Sequence, residues 1–550
     1  MRQVFPNTLY FSMDVFTRVQ AKIRNEKRIQ YAILAGIITL GVFLRTVHFQ
    51  SWMEFSPDQA RDATLIDKVL SGEEPLPLLG AESGNTRFKL GPMAYHWQYL
   101  SGLLFGSEPY NLAYPDLLFS IFALILFFFL MRKYFSAERA LLLTLLMSSS
   151  FFLVKYGRFA WNPNAAPFFS LLFLFALLET LDPKNKGRVV WPALLGVACG
   201  VAIQLHTLFI FILPCVVGAG FLLWIKRGLF SWRGLVLFLV CFLAVNWAQI
   251  YRDVNHHYSN TNRFLKAISK TSSGDGESAL LRNINEATAC EVQSGVYLLS
   301  SWGNLGKCEP WESALRSHDI ETRTTFIAGF IFVFGGCILF ARYFRREPDD
   351  RKWDFLFVTG LYAVVSFVVS IPIITQVSTR YYITSFFLPF IILGLWMKFL
   401  GNKVGKIGSV FAVVAIALFL VLFAGNIRSL SLWSWKLSHG SASDSKTVFY
   451  AEVRDMMSYM EAQLPEQNIG LLGSGDSMSR FFKSLNYIAE NDGRTLLDLS
   501  NKHRDPHGRF FYIDESVPES ELRVQSTYKG YVVEGYRVFG QIVILTLRAE

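Results

Sequence analysis

Long apolar runs broken by short polar clusters dominate the chain as far as about residue 426. A hydrocarbon core takes about 20 apolar residues per helix, and on that measure the pattern predicts about eleven spans. Five lie over Tyr31–Val47, Leu117–Met131, Ala140–Val154, Ala165–Leu181 and Val190–Leu205. Six more lie over Leu208–Ile225, Leu235–Ile250, Phe326–Ala341, Phe355–Ile374, Ile383–Met397 and Ile407–Asn426. Met93–Gly106 is too short and too polar to span and reads as an interfacial helix. The expected fold is a polytopic α-helical membrane protein.

Beyond residue 428 the pattern changes. A Ser/Gly-rich link, Ser438–Ser445, leads into a helical stretch at Val448–Leu464 and a short strand at Ile469–Leu472. Further strand-like runs follow at Phe510–Ile513, Gly530–Val538 and Gln541–Leu547, so residues 428–550 read as a soluble α/β domain. Gly473-Ser474-Gly475 fits a plain strand-to-helix turn better than a phosphate loop. No internal repeat of the kind common in transporters is visible.

Composition agrees with the span pattern: of 550 residues 52% are hydrophobic, and 50 are phenylalanine. Orientation follows from lysine and arginine. Lys22, Arg24, Lys27 and Arg28 precede the first span and place residues 1–30 in the cytoplasm. Every later inner loop is basic too, for example Arg132-Lys133 and Arg351-Lys352. The net charge of +10 therefore reflects membrane topology, and no nucleic-acid motif accompanies it. The outer segments are 48–115, the link Lys155–Asn164, 251–325, and the terminal domain. The first 28 residues are too polar for a cleaved signal peptide, and the first span is long enough to stay in the membrane. Of six cysteines, Cys199, Cys215, Cys241 and Cys337 fall in spans, while Cys290 and Cys308 share an outer loop. Spacing alone leaves their pairing open.

Candidate chemistry collects on the outer side. Ser56-Pro57-Asp58-Gln59-Ala60-Arg61-Asp62 follows the first span. Asp58 and Asp62, four apart, would share a helix face with Arg61 beside them. A carboxylate at that depth suits a general base. The same residues also suit a solvated helix start, with Ser56 as cap and Pro57 in the first turn. The link contributes Arg158, Trp161, Asn162 and Asn164, and the fifth span ends in Gln204-Leu205-His206. Arg380-Tyr381 precedes the tenth span. The first loop adds Glu82, Lys89 and the turn Gly91-Pro92. Arginine's planar fork pairs well with phosphate oxygens.

In order and in common face, these pieces resemble the C-type (GT-C) membrane glycosyltransferases. The resemblance is to the bacterial branch related to protein O-mannosyltransferases and the lipid A aminoarabinose transferase. It rests on Asp58-Gln59-Ala60-Arg61-Asp62, Gly91-Pro92, Arg158 with Trp161-Asn162-Pro163-Asn164, Gln204-Leu205-His206 and Arg380-Tyr381. It reaches to about residue 400 and leaves the terminal domain uncovered.

The resemblance implies a plasma-membrane enzyme that moves a sugar, with inversion, from a polyprenyl-phosphate donor to an acceptor hydroxyl on the outer face. Asp58 takes the place of the catalytic base, and Asp62 or Glu82 that of a second acid. Arg158, Arg380 and Lys89 are expected at the donor phosphate. Arg61, Trp161, Asn162, Asn164, Gln204, His206 and Tyr381 are expected in the substrate pocket. Some relatives use a divalent metal ion and others do not, so that cofactor stays open, as does the acceptor (lipid, glycan or protein). The alternatives are a flippase or transporter of a lipid-linked substrate, or a glycan polymerase or ligase of similar architecture.

Overall fold

The computed structural model describes residues 26–272, 277–303, 306, 308–401, 406–443, 447–465, 468–500, 508–515 and 527–549. It is a helical bundle with a small sheet domain packed on one end. Among the described residues eight helices are long and apolar enough to cross a membrane: Lys27–Thr46, Pro109–Arg132, Asn162–Leu181, Leu208–Lys226, Trp232–Asn255, Ile320–Arg346, Asp350–Gln376 and Val413–Ser438. Val190–Leu205 and Phe387–Gly401 are shorter apolar helices at two further expected spans. The remaining one, Ala140–Val154, is two helices, Ala137–Ser149 and Phe151–Tyr156. Ser150 leaves the helical conformation between them, with ψ 116°. The groups freed by the break find partners across the bundle: the Phe151 N–H donates to Asn426 Oδ1 (3.0 Å) and Ser150 Oγ to the Leu298 carbonyl (2.9 Å).

Small residues let the helices approach. A Cβ on Gly196 would lie 2.3 Å from the Phe238 carbonyl oxygen, and one on Gly200 2.8 Å from the Asn246 amide. This four-residue spacing seats Val190–Leu205 directly against Trp232–Asn255, as small-xxx-small patterns do in membranes. The segment 251–325, expected as loop, instead carries the helices Ser259–Ser272, Glu277–Ser300 and Trp311–Arg316. Cys290 on the second of these is bridged to Cys308, with Cα atoms 5.1 Å apart.

The terminal domain is a six-stranded sheet with two helices, Tyr450–Gln463 and Gly475–Asn491. In chain order the strands are β1 (Asn468–Gly473), β2 (Thr495–Asp498), β3 (Arg509–Asp514), β4 (Thr527–Tyr528), β5 (Tyr531–Phe539) and β6 (Ile542–Arg548). Their order in the sheet is β2-β1-β3-β6-β5-β4, parallel for β2-β1-β3 and antiparallel beyond. Alternation sorts the faces. Phe511, Ile513, Ile542 and Ile544 join the core that runs on into the membrane helices, while Phe510, Tyr512, Val543 and Leu545 form a second cluster. Gly473-Ser474-Gly475 is a strand-to-helix turn, with Ser474 Oγ accepting from the Ser477 N–H at 3.4 Å.

The domain is joined to the first loop by backbone pairing. The Phe55 N–H donates to the Val448 carbonyl (2.8 Å) and the Tyr450 N–H to the Met53 carbonyl (3.0 Å). Ser484 Oγ donates to the Phe55 carbonyl at 2.7 Å. The Phe55 ring lies edge-on between Tyr450 and Tyr487, each 5.4 Å away. These contacts fix the residue that leads into the Ser56–Asp62 motif.

Candidate active site

The motif opens a helix, Pro57–Leu70. Ser56 is extended, Pro57 supplies the first turn's fixed φ, and Gln59 Oε1 accepts from the Ser56 N–H at 3.1 Å. Asp58 in the first turn is favoured by the helix dipole. On the resulting face Asp58 is exposed and Asp62 is buried. Arg61 joins them, with Nη1 2.9 Å from Asp58 Oδ1 and Nη2 2.7 Å from Asp62 Oδ1. Tyr95, on the helix Met93–Phe105, donates its hydroxyl to the same Asp62 oxygen at 2.9 Å. Asp62 Oδ2 has no hydrogen-bond partner among the described residues. Burial pushes the Asp62 carboxyl up to about 6, against the opposing pull of Arg61 and Tyr95. Just ahead of the helix, Glu54 is held by Lys155 at 3.3 Å.

Asp58, Arg61 and Asp62 form one wall of a cavity of about 350 Å³. The opposite walls are Trp161-Asn162-Pro163, His206-Thr207 and Arg380-Tyr381, and Glu82 overhangs from residues 80–90. That overhang is a hairpin. Its bonds run from the Gly80 N–H to the Leu90 carbonyl (2.8 Å) and from the Ser83 N–H to the Phe88 carbonyl (2.8 Å). Arg380 is exposed, lies 5.9 Å from the Trp161 and Tyr381 rings, and makes no ion pair among the described residues. The amide of Asn162 is buried with neither atom hydrogen-bonded among the described residues. His206 Nδ1 accepts from the Leu208 N–H at 3.3 Å, and its ring meets Tyr381 edge-on at 5.3 Å. Burial, helped by Arg380, lowers the His206 pKa to about 4.

The whole chain superimposes on ArnT from Cupriavidus metallidurans in its apo state, at a TM-score of 0.50 and 12% identity. The match covers 94% of this chain and 97% of that one. The chain has the GT-C fold. The same figures hold for ArnT bound to undecaprenyl phosphate. An oligosaccharyltransferase from Archaeoglobus fulgidus, in complex with zinc and sulfate, superimposes at a TM-score of 0.45 and 13% identity, over 84% of this chain and 62% of its own. Residues 89–250 match the family described as dolichyl-phosphate-mannose-protein mannosyltransferase. Among curated proteins no sequence matches. The kinship with protein O-mannosyltransferases read from the motifs holds over the matched stretch.

Within this GT-C fold nine of the expected residues share the cavity: Asp58, Arg61, Asp62, Glu82, Trp161, Asn162, His206, Arg380 and Tyr381. Four others do not line it. Arg158, expected at the donor phosphate, lies buried behind the wall and donates to the Leu44 (3.0 Å) and Val47 (2.7 Å) carbonyls. Those are orphan carbonyls at the end of the first span, which a buried cation satisfies well. Gln204 also turns to other partners. Its Nε2 donates to the Gly200 and Val245 carbonyls and to Asn246 Oδ1, and its Oε1 accepts from the Met93 N–H. A Cβ on Gly91 would come within 2.2 Å of that oxygen, which explains the glycine of the Gly91-Pro92 turn. Asn164 Nδ2 donates to the Phe159 carbonyl at 2.6 Å. Lys89 is held through its backbone by Asn260, with bonds of 2.9 Å in each direction.

Sequence reasoning missed two parts of the site. Tyr95 was grouped only with an interfacial helix, yet it is the partner of Asp62. Ser83 and Thr207 pair their hydroxyls across the cavity mouth. Neither has a signal in spacing, because each contact joins residues far apart in the chain. Among the described residues no group of three or more metal-ligating side chains is assembled. Asp58 and Asp62 share Arg61 as their counter-charge, so the residues present do not fit a divalent ion held by three protein ligands.

Proposed function

We propose that the protein is a membrane glycosyltransferase that moves a sugar from a polyprenyl-phosphate donor to an acceptor hydroxyl at the outer face of the plasma membrane. The observation that carries this proposal is the exposed Asp58 carboxylate on the wall of the cavity that also holds Arg380, a cation without an ion pair among the described residues. Support also comes from the superposition on ArnT bound to undecaprenyl phosphate.

The chemistry follows from charge. The acceptor oxygen attacks the anomeric carbon from the side opposite the phosphate. The bond from that carbon to the phosphate oxygen breaks, its electron pair leaves on the phosphate, and the anomeric configuration inverts. Asp58 takes the hydroxyl proton, a contribution of about 10²–10⁴-fold for a well-placed base. The leaving phosphate gains negative charge, and Arg380 is the cation placed to stabilise it as it develops. Arg61 holds Asp58 in position, and Asp62 holds Arg61. His206, neutral at physiological pH, offers a hydrogen-bonding ring without adding charge. Trp161 and Tyr381 present apolar faces to the sugar, and the unpartnered amide of Asn162 suits a sugar hydroxyl. Glu82 is the second acid, placed to bind acceptor hydroxyls from the overhang.

The test is consumption of a panel of polyprenyl-phosphate sugars by membranes containing the wild type or Asp58→Asn. One donor should be consumed by the wild type and spared by the variant. Equal consumption by a folded Asp58→Asn would remove Asp58 as base, and no consumption of any donor by the wild type would overturn the transferase proposal.

A further inference from the structure

Several helix ends meet at the end of the bundle opposite Asp58. They are the last turns of Tyr114–Arg132 and Phe387–Gly401 and the first turns of Ala137–Ser149 and Asp350–Ser370. Between them lies a cavity of about 430 Å³ lined by Arg132, Tyr134, Ser136, Arg139, Lys352 and Lys398, among others. Cations at such a level follow from membrane topology alone. Their setting here goes further. Lys352 makes no ion pair among the described residues, and Arg132 donates only to the Phe135 carbonyl, at 2.9 Å. Lys398 donates to the Tyr134 hydroxyl at 2.8 Å and lies 3.6 Å from Glu347. Ser136 Oγ is buried and has no hydrogen-bond partner among the described residues, although Ser136 is the N-cap of Ala137–Ser149 and makes no capping bond. The cavity thus combines cations, a free hydroxyl and a helix N-terminus, which together suit an anion. Glu138 in that helix's first turn and Glu347 are the opposing charges.

A neighbouring cavity of about 240 Å³ shares two of these cations. Its cations sit among Asp182, Asp349 and Asp354, and Arg351 is paired with Asp182 at 3.6 Å. Arg132 and Lys352 line both cavities and make no ion pair with these aspartates among the described residues.

We propose that the 430 Å³ cavity binds the phosphodiester headgroup of an acidic phospholipid, at the membrane face opposite the transfer site. Basic pockets between membrane helices take such headgroups. A lipid is favoured over free phosphate because exposed apolar residues continue the path into the membrane. Phe129 is three residues before Arg132 and Leu142 three after Arg139, so each shares a helix face with its arginine.

The test uses the purified full-length chain in neutral detergent. Phosphatidylglycerol, phosphatidylcholine of the same acyl chains, and inorganic phosphate are titrated separately, with bound lipid counted by native mass spectrometry and melting followed in parallel. Phosphatidylglycerol should be retained preferentially and raise the melting temperature. Lys352→Gln and Arg132→Gln should each weaken its apparent affinity about fivefold, and Ser136→Ala should weaken it less. Sugar transfer should be unchanged in these variants. Equal retention of the two lipids would overturn the proposal, as would undiminished phosphatidylglycerol affinity in the Lys352→Gln/Arg132→Gln double variant. Stabilisation by inorganic phosphate equal to that by phosphatidylglycerol would overturn the lipid assignment.

Discussion

Arg380 and Arg158 both lie near the short link Trp161-Asn162-Pro163, Arg380 beside the Trp161 ring and Arg158 three residues ahead of it in the chain. Arg380 is exposed at the cavity, 5.9 Å from the rings of Trp161 and Tyr381 and without an ion pair among the described residues. Arg158 is buried, with two of its nitrogens on carbonyls that close the first span and its guanidinium 5.3 Å from the Trp433 ring. Arg158 is committed through both terminal nitrogens to main-chain carbonyls and is buried, whereas Arg380 is exposed and makes no ion pair among the described residues. The same residue type therefore faces the cavity at one position and closes the scaffold at the other.

Substitution should separate the two sides. The largest effect is expected at Asp58. Asp58→Asn should lower the rate of sugar transfer by about 10²–10⁴-fold with an unchanged melting temperature, because the side chain is exposed. Arg380→Gln should come next, at about 10²–10³-fold in kcat, again without loss of stability. Arg158→Leu should behave in the opposite way. It strands the Leu44 and Val47 carbonyls, each at a cost of about 1–3 kcal/mol, so the yield of folded protein and the melting temperature should fall. Turnover per folded molecule should hold. A stable, slow Arg158→Leu protein would place Arg158 with the substrate and break the contrast.

The sequence made the cavity legible where a motif sits on one element and faces outward. Asp58, Arg61 and Asp62 share a helix face by spacing alone, and Ser56-Pro57 marks where that helix starts. Trp161-Asn162 and Arg380-Tyr381 were found because polar residues in very short links between spans have few places to go. Arg158, in the link that holds Trp161-Asn162, and Gln204, at the end of the fifth span, turn inward, and nothing in composition distinguishes them. Their partners are main-chain atoms of other spans, which carry no side-chain signature. The helix Glu277–Ser300 was also read as loop. Its buried Ala287, Cys290, Ser294, Tyr297 and Leu298 fall at helical spacing, but small and polar residues among them weaken the apolar pattern. Spacing cannot supply the geometry that pairs Cys290 with Cys308. Breaking that pair should cost about 3 kcal/mol in the chain-entropy view.

The boundary between exposed and buried charge also runs through the Asp58–Arg61–Asp62 chain itself, and pH can probe it. Asp62 has its pKa raised from 3.8 to about 6, chiefly by burial. The folded protein therefore binds this proton more tightly than the unfolded chain does. Its contribution to stability is full below the unfolded value and is lost as pH rises through about 6, amounting to about 3 kcal/mol over that window. Relative to Asp62→Asn, the wild type should lose stability over that interval. Activity should move in the other direction, since only ionised Asp62 holds Arg61 by charge. Transfer should fall as pH drops through about 6, and Asp62→Asn should be slower and lack that limb. A limb that persists in Asp62→Asn would assign it to another group.

Tyr95 allows the finest cut, because it touches Asp62 without itself lining the cavity. Its hydroxyl donates to Asp62 Oδ1 at 2.9 Å and favours the ionised carboxylate. Tyr95→Phe keeps the ring and removes that one bond, at about 1.5–3 kcal/mol for a hydrogen bond to a charged group. The Asp62 pKa should rise, and the acid limb of the transfer profile should shift upward from about 6. At high pH, where Asp62 is ionised in both proteins, the rate should fall only a few-fold. A lower rate at every pH with no shift of the limb would mean that Tyr95 acts by packing. A shift without loss at high pH would make it a positioning residue whose effect passes through Asp62 and Arg61 to Asp58.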